Sequence, residues 1–496
     1  MLWSTLNTAL TALALLLSQT PAATAADTRP SACRLSGVEH DALCGSISRP
    51  LDPARPDGVH IDVHYAVLPA LARNKHPDPV FFFAGGPGQS AIALAGPMSR
   101  LFARFTNRRD LVLIDQRGTG RSAPLVCDTP DPALPLRQLA DPAAMRARLA
   151  RCRTALQALP QGDLRQYTTA IAMADADAVR QALGAERINV VGGSYGTRAV
   201  LEFMRQFPQA VRRAVIDGVA PPDMVLPASI AVDAQSALDA LFTACAADPA
   251  CDRPYPALQD HWRGLIATLP REVTVLHPVT GRPQSLTLST DMAASLLRGP
   301  LYAPALASAL PLAITQAAAG RFEALFGLAA ALGGGRREMQ LAEGMHFSVI
   351  CAEDMPRLAQ APARLAADLG DGFADLYREV CADWPRGEVP AAFYTIPPAP
   401  APALVLSGGL DPVTPARHGE RAAKALGPKA RHVRVPNAGH GVMAIGCMRD
   451  VLFRFVDAEA EAEALAVDTG CIESIPRPPT FQPVRPKSDT SAGSGS

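Results

Sequence analysis

Three short, nearly unbroken apolar runs constrain this chain most: Val80-Phe-Phe-Phe83, Leu111-Val-Leu-Ile114 and Ile188-Asn-Val-Val191, each leading straight into a Gly-rich or charged turn. Strands buried on both faces have this pattern, because both sides must be apolar when helices cover the sheet above and below. Between the last two runs, Ile171, Ala174, Ala178, Val179 and Ala182 recur at helical spacing and Gly184 follows, which predicts a crossover helix over 170–183. Ala214-Val-Ile216, Ala403-Leu-Val-Leu406 and His432-Val-Arg-Val435 predict three further strands. From Val59 to Val67 apolar and polar residues alternate, the period of a half-buried strand in an antiparallel opening hairpin. The expectation is an α/β fold with a mostly parallel central sheet and helices on both faces.

The rhythm breaks over residues 221–396, which are Ala- and Leu-rich, helical in pattern and hold four of the ten cysteines. These residues are expected to form an inserted, mainly helical cap domain between core segments 27–220 and 397–473, with Pro397-Pro-Ala-Pro-Ala-Pro402 as a stiff connector. Residues 474–496 turn Pro-rich and then Ser/Gly-rich, the composition of a disordered tail. The 496 residues carry 47 basic and 47 acidic side chains, so the basic field that nucleic acid or an anionic membrane requires is absent.

Residues 1–26 resemble a secretory signal peptide, with an apolar run from Ala9 to Leu17 and small residues at Ala23-x-Ala25. The run is shorter than the ~20 residues that span a bilayer. An uncleaved anchor is the alternative, since the first residues lack Lys and Arg. Export to a secreted or periplasmic location would favour oxidised thiols. The cysteines fall as near neighbours, 33 and 44, 127 and 152, 245 and 251, 351 and 381, 447 and 471, so five local disulfides are expected. Spacing does not fix connectivity, and a mixture of bridges and buried thiols is the alternative. With no Cys-x-x-Cys, no metal is expected.

Gly192-x-Ser194-x-Gly196 lies between a predicted strand and a predicted helix. So tight a turn holds the serine in strained geometry above the sheet edge, with small neighbours required on both sides. A serine hydroxyl needs a base and an orienting acid, here in the order Ser, Asp, His. Asp411 follows one buried strand and His440 follows the last in a Gly-flanked turn, loops at which such sheets assemble sites. Asp217, directly after the strand that follows the nucleophile, is the rival acid. The amides of Tyr195 and of Gly86, in Phe83-Ala-Gly-Gly-Pro-Gly, are the candidate oxyanion donors.

Ala84-Gly-Gly-Pro-Gly-Gln-Ser90, Asp115-Gln-Arg-Gly-Thr-Gly-Arg-Ser122 and Gly192-Gly-Ser-Tyr-Gly-Thr197, in that order, resemble the secreted α/β-hydrolase peptidases of the proline iminopeptidase and tripeptidyl aminopeptidase family, over about residues 33–472. The resemblance implies an α/β-hydrolase fold, a C-terminal tripeptidyl-aminopeptidase-like module, a catalytic set of Ser194, Asp411 and His440, and bracing of the loops beneath the site by Asp115 and Arg117. Ala84 stands where proline iminopeptidases commonly have His, which speaks against narrow proline specificity. Family members also carry acids after a cap cysteine, which implies Glu353 and Asp354, after Cys351, as amine-binding residues. The expected activity is a serine aminopeptidase acting on short peptides with a free amino terminus, without cofactor. The alternatives are a small-molecule esterase or amidase on the same scaffold, and a catalytically inactive binding protein.

Overall fold

A computed structural model describes residues 30–333, 340–360, 368–370 and 372–483. The expected signal peptide lies outside the described residues. Eleven strands form: β1 (Ser31–Cys33), β2 (Ala42–Pro50), β3 (His60–Leu68), β4 (Val80–Phe83), β5 (Leu111–Ile114), β6 (Ile188–Gly193), β7 (Val211–Asp217), β8 (Arg271–Leu276), β9 (Pro283–Leu288), β10 (Ala403–Gly408) and β11 (Ala430–Val435). Nine of them make one sheet in the order β1-β2-β3-β5-β4-β6-β7-β10-β11. The first three are antiparallel, β3 meets β5 antiparallel, and from β5 to β11 every pairing is parallel. This is the α/β-hydrolase fold.

The unbroken apolar runs are explained by the two layers that they separate. Phe81, Phe83, Val112, Val190, Ala214 and Val405 pack against the helices Thr169–Ala182 and Tyr195–Gln206 on one face. Val80, Phe82, Leu111, Leu113, Val191, Val215 and Leu404 pack on the other face, beside Phe102 and the helix Met448–Asp457. Because successive side chains in a strand point to opposite faces, both positions of each pair must be apolar.

A third apolar cluster gathers Leu238, Phe242, Trp262, Leu297, Ile314 and Leu325, within the stretch between β7 and β10. It includes the antiparallel hairpin β8–β9, whose alternating exposure marks one solvated face. The helix Leu226–Ala247 ties this stretch to the sheet layer: its Asp233 is fully buried and takes Arg417 and His418 (3.1 Å) from the helix Ala416–Leu426.

Of the expected disordered tail, residues 474–483 are described and 484–496 lie outside the described residues. Residues 475–483 run along the inserted stretch, where the Phe481 amide donates to Ser308 O (2.9 Å), Tyr255 Oη to Phe481 O (2.7 Å) and Gln482 Nε2 to Ala250 O (2.8 Å). Composition pointed to disorder because Pro and polar residues bury little, but three hydrogen bonds hold the segment without a core of its own. All five neighbouring cysteine pairs are bridged: Cys33–Cys44, Cys127–Cys152, Cys245–Cys251, Cys351–Cys381 and Cys447–Cys471.

Candidate active site

Ser194 sits at the junction of β6 and the helix Tyr195–Gln206 with φ 56° and ψ −124°, a conformation that side chains other than glycine rarely adopt. The flanking glycines are required by contact. A Cβ on Gly192 would lie 2.2 Å from Gly196 O, and one on Gly196 would lie 2.1 Å from Phe83 O. The Ser194 amide donates to Asp217 O (2.8 Å), which fixes the turn to the end of β7.

The loop after β4 closes over this turn, so that a Cβ on Gly85 would lie 3.1 Å from Ser194 Cβ. Gly86 has φ 114°, and among the described residues no acceptor takes its amide or that of Tyr195. Tyr195 opens its helix, where the first amides have no partner within the helix. Both amides therefore stand free beside the serine. Asp115 steadies the same loop by accepting from Ser90 Oγ (2.6 Å) and from the amides of Ile92 (3.1 Å) and Arg121 (3.2 Å). Arg117, also buried, binds Asp175 through two nitrogens (2.7 and 3.0 Å) and the carbonyls of Leu51 and Gln166.

His440 follows β11, and its Nδ1 lies 2.9 Å from Asp411 Oδ2. Asp411, 2% exposed, also accepts from the amides of Val413 and Thr414 (both 2.9 Å) and from Thr414 Oγ1 (2.8 Å). Burial alone would lift the Asp411 carboxyl, but the charge and hydrogen bond of His440 and these amides outweigh it and hold the pKa below the usual value. Burial would likewise lower His440, and Asp411 together with the Asp217 charge overcomes that and raises it. With Nδ1–H committed to Asp411, Nε2 is left to face a reaction partner.

Ser194, Tyr195, Gly86 and His440 line one cavity of about 620 Å³, whose walls include Phe82, Leu226, Ile230, Phe347 and Met443. Among the described residues no hydrogen bond joins Ser194 Oγ to His440, and such contacts commonly close only around substrate. Tyr302, from the inserted stretch, sits over the imidazole: its carbonyl accepts from the His440 amide (3.1 Å), and its ring meets the imidazole edge-on at 5.4 Å. Sequence gave no signal for Tyr302. Thr414 was legible as the end of an Asp-Pro-x-Thr turn, in which Asp commonly accepts from backbone two or three residues on.

Glu353 and Asp354, expected to bind the substrate amine, are buried against Arg198. Both are 1% exposed and neither lines the cavity. Arg198 Nη1 donates to Glu353 (3.3 Å) and Asp354 (2.8 Å); Glu353 also accepts from the Thr169 amide (2.7 Å) and Asp354 from that of Leu226 (2.9 Å). Burial pushes Glu353 up against the pull of Arg198. The carboxylate that does line it beside Asp217 is Glu343, held by Arg148 through two hydrogen bonds (2.6 and 2.8 Å). Among the described residues no group of three or more His, Cys, Asp or Glu could hold a metal ion.

The chain is similar to known proteins. The family described as alpha/beta hydrolase fold matches residues 78–243, and that described as TAP-like protein matches residues 369–464. The chain is 26% identical over 446 residues to serine protease Hip1 of Mycobacterium tuberculosis, covering 79% of this chain and 82% of that one. It is 31% identical over 191 residues to a tripeptidyl aminopeptidase of Streptomyces coelicolor, 36% of this chain and 35% of that one. A probable proline iminopeptidase of the same species is 32% identical over 147 residues, 30% of this chain and 34% of that one.

Proposed function

We propose, from the premise that this chain is an α/β hydrolase with a TAP-like C-terminal segment, that it is a serine peptidase of the aminopeptidase kind. The names of its relatives support the peptidase reading, and the observation that carries the chemistry is the His440–Asp411 contact of 2.9 Å at the wall of the cavity that holds Ser194. Ser194 Oγ attacks the scissile carbonyl carbon while His440 Nε2 takes the hydroxyl proton, and Asp411 stabilises the imidazolium. The Gly86 and Tyr195 amides hold the oxyanion, each worth about 2.7–4 kcal/mol of transition-state stabilisation. Collapse breaks the carbon–nitrogen bond, and His440 returns the proton to the leaving amine. Water, activated by His440, then cleaves the ester on Ser194.

The substrate class is short peptides with a free amino terminus and apolar side chains, because the walls are apolar and their outer carboxylate, Glu343, can pair with an ammonium group in place of part of its contact with Arg148. Five disulfides support an extracytoplasmic, secreted or periplasmic location. The test compares tripeptidyl and aminoacyl chromogenic amides with and without a blocked amine. The expectation is that blocking lowers kcat/KM and that Glu343→Gln erases about tenfold of that preference. The bidentate hold of Arg148 on Glu343 favours one second reading, an esterase or amidase on small molecules, and equal rates on free and blocked amides would select it.

A further inference from the structure

Asp217 supplies no group to the chemical steps above, yet three backbone amides from two segments of the site converge on it. Its carbonyl accepts from the Ser194 amide (2.8 Å). Its carboxylate accepts from the Val442 amide at both oxygens (3.0 and 2.8 Å) and from the Met443 amide (2.9 Å), just past His440. The sheet explains why one residue can do both. β7 lies between β6, which ends at the serine, and β10, which leads to Asp411, so its last residue stands midway between nucleophile and base loops.

The next residue continues the joint. The Gly218 amide donates to Leu406 O of β10 (3.1 Å), and Gly218 has φ 66°. A Cβ there would lie 3.2 Å from both His440 Cε1 and Thr414 Oγ1, so the imidazole rests almost on this backbone. We propose that Asp217 is a positioning residue that sets the distance between Ser194 and His440 and places a second carboxylate charge behind the imidazole. The inference rests on the serine-hydrolase reading of the same site.

The groups facing Asp217 make its charge state matter. Burial pushes its carboxyl up to about 6, against the Met443 and Val442 amides and His440, while the charge of Asp411 raises it further. His440 and Asp411 are the titratable groups that act on it. Near neutral pH the carboxylate is ionised and holds the two amides; protonation in acid takes one oxygen out of that role as His440 also gains its proton. The acid limb of the kcat/KM profile should therefore fall more steeply than a single proton allows.

The test uses the full chain carrying Asp217→Asn or Asp217→Glu, with Ser194→Ala as control. In D217N, kcat should drop about 100-fold, the cost of a misplacement on the order of 1 Å, with KM within about threefold. Its acid limb should become a single-proton fall and move to lower pH, because His440 loses a stabilising anion. D217E keeps the charge, so its limb should stay near the wild-type position while kcat is reduced; this variant carries the test if D217N does not fold. The proposal is overturned if the variants lower the melting temperature but leave kcat and the acid limb of the folded protein in place. Activity that survives S194A would overturn the serine-hydrolase reading instead, whatever the Asp217 variants do.

Discussion

Among the buried carboxylates of the described residues, Asp217 with Asp411 and Glu353 with Asp354 form two pairs that differ in the cation that they face. The first pair flanks His440, whose charge comes and goes near neutral pH; the second encloses Arg198, whose charge is permanent. A carboxylate beside a titrating imidazole can stabilise a charge that appears during a reaction. One locked to a guanidinium has no charge left to respond with, and its part is to hold helices together. Acidic side chains in similar burial thus divide into chemistry and architecture by their partner.

The largest effect that could break this contrast is on activity. Asp411→Asn should lower kcat by about 10⁴-fold, the loss that follows when the imidazole is held in the wrong tautomer. Glu353→Gln should leave kcat per folded molecule within about threefold, and equal losses in steady-state assays of the two variants would dissolve the distinction. Stability should respond in the opposite sense. Arg198→Met strands two buried charges at a cost of about 3–5 kcal/mol, seen as a lower thermal midpoint, whereas D411N should shift that midpoint less. The smallest effect sharpens the comparison through pH. His440 must be neutral to accept the serine proton, and its pKa is raised, so activity should fall as pH drops through a value above 6.5. D411N should move that limb downward and E353Q should not, as full kcat/KM profiles would reveal.

What sequence made legible follows the range of the interactions. Gly192 and Gly196 are dictated by atoms a few residues away and by the neighbouring strand, so the turn carries its own signature. The contact between Asp411 and His440 was legible because each follows a recognisable buried strand, and order along a parallel sheet fixes which loops meet. The contact of Glu353 and Asp354 with Arg198 was not legible, because that partner lies 155 and 156 positions earlier. The helix after the serine is buried on all sides from Tyr195 to Met204, and an arginine within it, Arg198, demands buried acceptors. Tyr302 had no signal in the sequence, since its contact with His440 depends on how the inserted stretch folds back over the sheet. The hairpin β8–β9 differs: its pairing is local, and the alternation of Val273, Val275, Leu286 and Leu288 with polar residues was hidden only by the Ala- and Leu-rich composition of the surrounding stretch.

The order of the disulfides carries its own consequence. Each cysteine is joined to its immediate neighbour in sequence, with separations from 6 to 30 residues, and no bridge encloses or crosses another. An oxidant that joins every second thiol to the one just before it in sequence produces the native set without ever having to undo a pairing.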